Sequence, residues 1–473
     1  MLVQREWLAK PVDWTETSPP SGVSREDFAV LLARGTPRRF RTLQSGVARL
    51  PPGYELVSTA DAVRTPVRRW SALRSGAAYL GCGLDEMAAE LRVRLQQSVR
   101  RHSEGKRVGL LLSGGYDSAL LATLMARDGV DLKCYSVDAP ELFPSEWEHA
   151  RETASRLKVS LQKITVTLDD LLKAPAAMRL FKSTPNMCLT TAYLLAASRA
   201  AADDLCDIVM LGTGSDELLG PCTQEADAVK RFRQRAGSIG TAETWSTLLG
   251  DQSPRRTEVL YRGNIAPFPE QTIQQLFPDL ELASLVEEDI AGLYRDLHAE
   301  DPQLPYESLT LQLELELRSS DVLMHELAAA ASVHGMPTAF PFYDRSIVEL
   351  AAGMPLTFKT CTHSQDGASP IIHKYLLRHA FRDCMPVAEG RPRSVATLPF
   401  QWDRKSDVKQ ELLQTIEDSP VWGQLGVSHA ALIALVRDGG SEGEFWRVPR
   451  RFWLLYQLTQ LEDVSPMLGG SSN

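Results

Sequence analysis

One stretch, Val108-Gly109-Leu110-Leu111-Leu112-Ser113-Gly114-Gly115-Tyr116-Asp117-Ser118-Ala119-Leu120-Leu121, limits what this chain can fold into. Its short apolar run predicts a buried parallel strand. Ser113-Gly114-Gly115 turns the chain sharply. Asp117 and Ser118 then open a helix carried on by Ala119, Leu120, Leu121, Ala122, Leu124 and Met125. A strand, a glycine turn and a helix start expose bare amides, and the helix dipole adds positive charge, so the stretch makes an anion site. Without Cβ atoms at Gly114 and Gly115, a phosphate can approach the backbone. Asp117 would repel that phosphate unless a cation lay between them, which points to a magnesium-bound polyphosphate. A plain strand-to-helix turn is the competing reading, but Ser-Gly-Gly-x-Asp-Ser sets its polar groups more specifically than a turn requires.

Downstream the pattern repeats. Lys133–Val137, Lys163–Thr167 and Asp207–Leu211 read as strands, and helices are expected from Ser145-Glu146 to Leu157 and from Leu189 to Ala202. Strands alternating with helices predict an α/β fold, a doubly wound parallel sheet with ligands at the carboxyl ends of the strands. The fourth strand ends in Leu211-Gly212-Thr213-Gly214-Ser215-Asp216-Glu217-Leu218-Leu219-Gly220, again a glycine turn with an acid behind it. Two such turns can face each other across a crevice, with Asp117 and Asp216 holding magnesium between them. Taken alone, Asp216 reads equally as a helix N-cap.

Elsewhere the signals are coarser. Residues 1–23 read as an irregular arm, followed by a helix capped by Ser24. Residues 46–50 and 54–57 read as short strands about a turn, and Leu84, Ala88, Leu91, Leu95 and Val99 follow helical spacing. Lys230-Arg231-Phe232-Arg233-Gln234-Arg235 is either a solvated helix face or a substrate-docking lip. Leu309, Leu311, Leu313, Leu315 and Leu317 alternate with period two inside a region otherwise helical, so helix and strand both stay open there. Helices are expected over 321–331, 346–352 and 454–461 and around Lys374-Tyr375-Leu376-Leu377-Arg378. A length of 473 residues allows two to three domains, and a formal charge of -9 disfavours a general nucleic-acid binder. Seven scattered cysteines without a C-x-x-C pair suit a reducing compartment and give no zinc site. No apolar run reaches 18 residues and the first residues lack a signal-peptide pattern, so a cytoplasmic protein is expected, with no membrane partner.

The first loop resembles the pyrophosphate loop of the ATP pyrophosphatases, whose adenine nucleotide α-hydrolase-like sheet is the fold this resemblance implies. The ordered set of segments is more specific. Leu112–Ser118, the Ser145-Glu146-Trp147-Glu148-His149-Ala150 helix start, Gly212–Glu217, Asp321-Val322-Leu323-Met324, Pro341-Phe342-Tyr343-Asp344, Lys374–Arg378 and Met385-Pro386 resemble, in order, the synthetase domain of asparagine synthetase. β-Lactam synthetase and the lasso peptide cyclases share that domain. The resemblance implies an arm and remnant of a glutaminase-like domain over 1–83, an ATP-binding synthetase domain with a helical C-terminal part over 84–463, and a tail over 464–473. It also implies ATP and Mg2+ as cofactors. Leu112, Ser113, Gly114, Gly115, Asp117, Ser118, Ser136, Val137 and Gly212 would contact the nucleotide, and Asp117 and Asp216 would hold the metal.

Departures from the family pattern matter as much. Leu2 stands where asparagine synthetase carries its nucleophilic cysteine, so ammonia made in cis is not expected. Thr213 replaces a glutamate or tyrosine, and a threonine hydroxyl orients groups but is no base near neutral pH. Arg393 falls near the late catalytic lysine, where it would supply charge without transferring a proton. Pro337-Thr338-Ala339 replaces the Glu-x-Arg that shapes the acceptor pocket. Lys374, Arg393 and Thr213 are the expected catalytic positions, with Lys374 neutralising leaving phosphates unless it is an ordinary surface lysine. Glu217 and His334 are the candidate bases for the amine.

Three functions follow. The first is an amide ligase that adenylates a small-molecule or peptide carboxylate and passes the acyl group to an amine, in natural-product or macrolactam-like biosynthesis. The second is an amidotransferase fed free ammonia or served by a separate glutaminase chain. The third is a non-catalytic nucleotide-binding subunit. A separate peptide-recognition chain is a further expected partner of the first.

Overall fold

A computed structural model of the chain describes residues 10–13, 23–58 (apart from 44 and 46), 64–140, 145–177, 190–220, 267–300, 311–362 (apart from 313), 371–384, 406–437 and 447–460. Its centre is a run of alternating helices and strands: α1 (Leu84–Ser103), β1 (Arg107–Leu111), α2 (Tyr116–Arg127), β2 (Asp131–Asp138), α3 (Trp147–Leu157), β3 (Ser160–Thr165), α4 (Leu168–Ala177), α5 (Thr190–Asp203), β4 (Ile208–Met210), α6 (Ser215–Leu219), α7 (His325–Ser332) and β5 (Thr338–Ala339). The five strands form one parallel sheet in the order β3-β2-β1-β4-β5. Val108 lies opposite both Leu132 and Ile208, and Leu110 opposite both Cys134 and Met210. Every one of these side chains is buried, as expected for central strands covered on both faces.

From β1 the chain steps outward to β2 and β3, then crosses back to β4 and β5. Right-handed crossovers running in opposite directions put their helices on opposite faces. Accordingly α1, α2 and α3 pack side by side, while α5 packs on α7 and on β1, β2 and β4. The expected doubly wound sheet is what forms. Its two directions diverge between β1 and β4, so the loops leaving their carboxyl ends flank a crevice.

Helix α1 buries Met87, Ala88, Leu91, Leu95 and Val99 along one stripe, each large apolar side chain contributing ~1.5–3 kcal/mol. Ser24 caps the helix Arg25–Arg34, accepting from the Asp27 N–H. Two expectations need correction. The third strand starts at Ser160 rather than 163 and ends at Thr165, because Thr167 and Asp170 cap each other at the start of α4. The arm is not wholly irregular: Lys10–Asp13 pairs antiparallel with Val47–Leu50, and Tyr54–Ser58 pairs with Arg64–Arg68, so the two strands about the 51–53 turn find other partners. The leucine-rich segment, left open above, is π-helix over residues 314–324, with Leu315, Glu316 and Leu317 all buried; Leu309 and Leu313 lie outside the described residues.

The amino-terminal segment, through the helix Arg25–Arg34, the loop after it and the strand Arg64–Arg68, is tied by charge to helices later in the chain. Buried Glu316 takes Arg39 at 3.0 Å and Arg68 at 2.9 Å, and Gln312 donates to it at 2.6 Å. Arg34 pairs with Asp289 and Arg39 with Asp296, both on the helix Leu282–Glu300. Among the described residues no helix is long and apolar enough to cross a membrane.

Candidate active site

Two loops meet at the carboxyl ends of β1 and β4. In the first, the Leu112 N–H still pairs with the Tyr135 carbonyl, and the chain then leaves the sheet. The Ser113 and Ser118 hydroxyls lie 3.1 Å apart, and Ser113 Oγ accepts from the Gly115 N–H. The Gly114 N–H donates to Glu146 Oε2 at 3.3 Å. Burial pushes the Glu146 carboxyl above its ordinary range, against the pull of that amide and of His149. A Cβ on Gly114 would stand 2.7 Å from His149 Cβ, so α3 packs directly on the loop. Ser136 and Val137 carry β2 past the end of β1, and Ser136 is buried beside this loop's root.

In the second loop, the Leu211 N–H pairs with the Ala339 carbonyl before Gly212 and half-buried Thr213 turn the chain. A Cβ on Gly212 would lie 3.1 Å from Asp117 Cβ, so the loops touch. Gly214 takes φ +106°, and a Cβ there would meet the Tyr343 ring at 2.8 Å. Its N–H donates to Glu217 Oε2 at 3.0 Å, which closes the start of α6.

The acids of the two loops share one cation. Lys374 Nζ donates to Asp117 Oδ2 and, at 3.1 Å, to Asp216 Oδ1. Ser215 Oγ donates to the other Asp117 oxygen at 2.7 Å. Lys374 is 8% exposed and precedes the short helix α8 (Tyr375–Ala380) with φ +57°, a left-handed backbone uncommon outside glycine. Burial works against its charge, but the attraction of Asp117 and then of Asp216 outweighs it, so its pKa lies above the ordinary lysine value. Gly220 gives the lysine its room: a Cβ there would lie 2.9 Å from Lys374 Cγ.

The structure therefore brings together Ser113, Gly114, Gly115, Asp117, Ser118, Gly212, Asp216 and Lys374, with Thr213, Ser136 and Val137 at the strand ends around them. Glu217 is spent on its own helix cap. His334 lies at the other end of α7, beside Arg199 and Asp203, and burial lowers its pKa. That is the amino-terminal side of β5, away from the loops. Arg393, Met385-Pro386, the 230–235 basic run and the 464–473 tail lie outside the described residues. Three contributors were not expected from sequence: Ser215, Gly220 and Glu146 as a partner of the Gly114 amide. Ser215 carried a signal, since Ser215-Asp216 mirrors Asp117-Ser118; the other two carried none.

Among the described residues no three His, Cys, Asp or Glu side chains gather as a metal cage. Two carboxylates able to share one cation, next to bare amides, do fit magnesium, which takes one or two protein carboxylates and draws its remaining ligands from phosphates and water.

The asparagine synthase family model matches residues 90–462, most of the chain and every residue of this site. The chain belongs to the asparagine synthase family. Asparagine synthetase [glutamine-hydrolyzing] 1 of Bacillus subtilis (strain 168) is 24% identical over 380 residues, covering 71% of this chain and 53% of that protein. The chain thus spans about half the length of the curated relative it matches. Two solved structures also overlap with 47% of the chain at a TM-score of 0.20: an NMN synthetase from Francisella tularensis (14% identity, 97% of that chain) and an NH3-dependent NAD synthetase from Campylobacter jejuni (19%, 96%). At that level of superposition neither likeness carries weight for fold or activity. For this asparagine synthase family member, fold and site rest on its own sheet and loops.

Proposed function

We propose that this chain is an ATP-dependent, AMP-forming carbon–nitrogen ligase. A substrate carboxylate oxygen attacks the α-phosphorus of ATP, and the bond to the β-phosphate bridging oxygen breaks to release pyrophosphate. An amine nitrogen then attacks the acyl carbon of the acyl-adenylate, loses a proton, and AMP leaves. The amides of Gly114 and Gly115 and the hydroxyls of Ser113 and Ser118 would hold the pyrophosphate oxygens, and Ser136 and Val137 would face the adenine. Asp117 and Asp216 would hold magnesium, which supplies positive charge to the polyphosphate. Lys374, and Arg393 by resemblance, would add charge for the leaving phosphates, and Thr213 would orient a reacting group.

The observation that carries this reading is the meeting of two acid-bearing loops over one buried ammonium at the sheet's switch point. We further propose a small-molecule or peptide amine as acceptor, joined in a natural-product or macrolactam-like pathway, since Thr213 and Pro337-Thr338-Ala339 depart from the asparagine-forming pattern. Carboxylate-dependent ATP–pyrophosphate exchange tests both levels. Exchange lost in Asp117→Ala is expected. Exchange with aspartate alone would refute the finer reading in favour of an ammonia-using amidotransferase, and no exchange with any acid would refute the ligase.

A further inference from the structure

Lys374 Nζ sits between the two carboxylates that would hold a metal, and Ser215 occupies the second oxygen of Asp117. On the other side of the same loop, the Glu146 carboxylate lies on the Gly114 amide, where a phosphate oxygen would sit. Both mimic parts of a metal–polyphosphate, one as the cation and one as the anion.

Building this contact has a cost. The Lys374 backbone is held at φ +57°, ψ +41°, and its ammonium is buried. Here Gly220 opens the slot through which the lysine stem reaches the acids. Its own backbone, at φ -135°, does not demand glycine, so the missing Cβ serves the lysine rather than the turn.

We infer that Lys374 is a built-in plug of the metal site: it occupies the Asp117–Asp216 pair until a metal–polyphosphate arrives, so the free divalent ion is refused and metal and nucleotide enter together. The displaced ammonium then turns to the phosphates, so one side chain serves as plug and as phosphate partner. This rests on the ligase reading for its ligand, but not for its test.

The test uses Mn2+ alone, without nucleotide, titrated into the full chain and read by the loss of the free-ion electron paramagnetic resonance signal. Wild type should bind weakly. Lys374→Met should bind roughly tenfold or more tightly, a gain of about 1.4 kcal/mol. Gly220→Ala keeps the charge but crowds the stem, and should give an intermediate gain even if Lys374→Met folds poorly. Adding Asp117→Asn to either variant should abolish the gain. Unchanged or weaker Mn2+ binding in both variants, or a gain that survives Asp117→Asn, overturns the plug. Pyrophosphate exchange measured in parallel on the wild-type chain separates the two ideas, since wild-type exchange without a Mn2+ gain in the variants removes only the plug, and a gain without wild-type exchange removes only the ligase.

Discussion

At the amino-terminal edge of the sheet the chain obeys ordinary turn chemistry. Gly105 and Gly129 take the positive φ of tight turns with open space around them, and the Arg107–Asp131 and Arg100–Asp128 pairs lie toward solvent. At the carboxyl edge, the same sheet breaks those rules repeatedly. Gly214 turns at φ +106° against an aromatic ring, Lys374 takes in the interior the left-handed backbone that Lys158 and Leu205 take exposed ahead of β3 and β4, its ammonium is buried between two acids, and a half-buried carboxyl rests on a loop amide. Strained backbone and buried charge cluster at functional sites in native folds, although the buried Glu316 knot shows that they also serve structure. The contrast between edges thus supports the proposed site independently of any motif.

That contrast can be broken by experiment. Asp117→Ala should cut pyrophosphate exchange by about 10²–10³-fold, the scale of losing one preorganised charge contact, and also lower thermal stability, because buried Lys374 loses one of its two acids. The amino edge holds a buried histidine, His102, near the end of α1. Burial lowers its pKa to about 4, with Asp344 opposing and Arg101 and Lys106 assisting. The unfolded chain would hold that proton from about pH 6.5 downward, so stability is lost as pH falls from 6.5 through 4, by up to ~3 kcal/mol. Urea unfolding at pH 7 and pH 4.5 should show that His102→Gln flattens this slope; an unchanged slope would shift the acid sensitivity elsewhere. Gly214→Ala should destabilise by roughly 2 kcal/mol in thermal unfolding, through strained φ and the Tyr343 ring. Arg100→Ala should change stability by no more than ~0.5 kcal/mol, as exposed pairs do. A larger loss there would erase the distinction between edges.

How legible each part was follows from its surroundings. β1 and β4 were readable because strands buried on both faces need continuous apolar runs, β2 was readable only in its centre because Asp131, Lys133, Ser136 and Asp138 interrupt its apolar residues, and Asp117 and Asp216 could be paired because both stand one turn past β1 and β4. β3 is an exposed edge strand, so its bounds slipped. The strand at Lys10–Asp13 exists only through pairing with Val47–Leu50, and no local pattern announces a distant partner. Lys374 lies 257 residues from Asp117, and the slot left by Gly220 is a matter of shape that no spacing encodes.

The Glu316 knot reaches beyond stability. Its two arginines come from before residue 84, while the carboxylate lies on the π-helical segment that runs directly into α7 and so to β5. Anyone trimming the chain to residue 84 onward would leave the buried Glu316 without Arg39 and Arg68 and loosen the segment that leads through α7 to β5. The amino-terminal segment is better thought of as a keystone than as an appendage, and swapping it between relatives should be done together with residue 316.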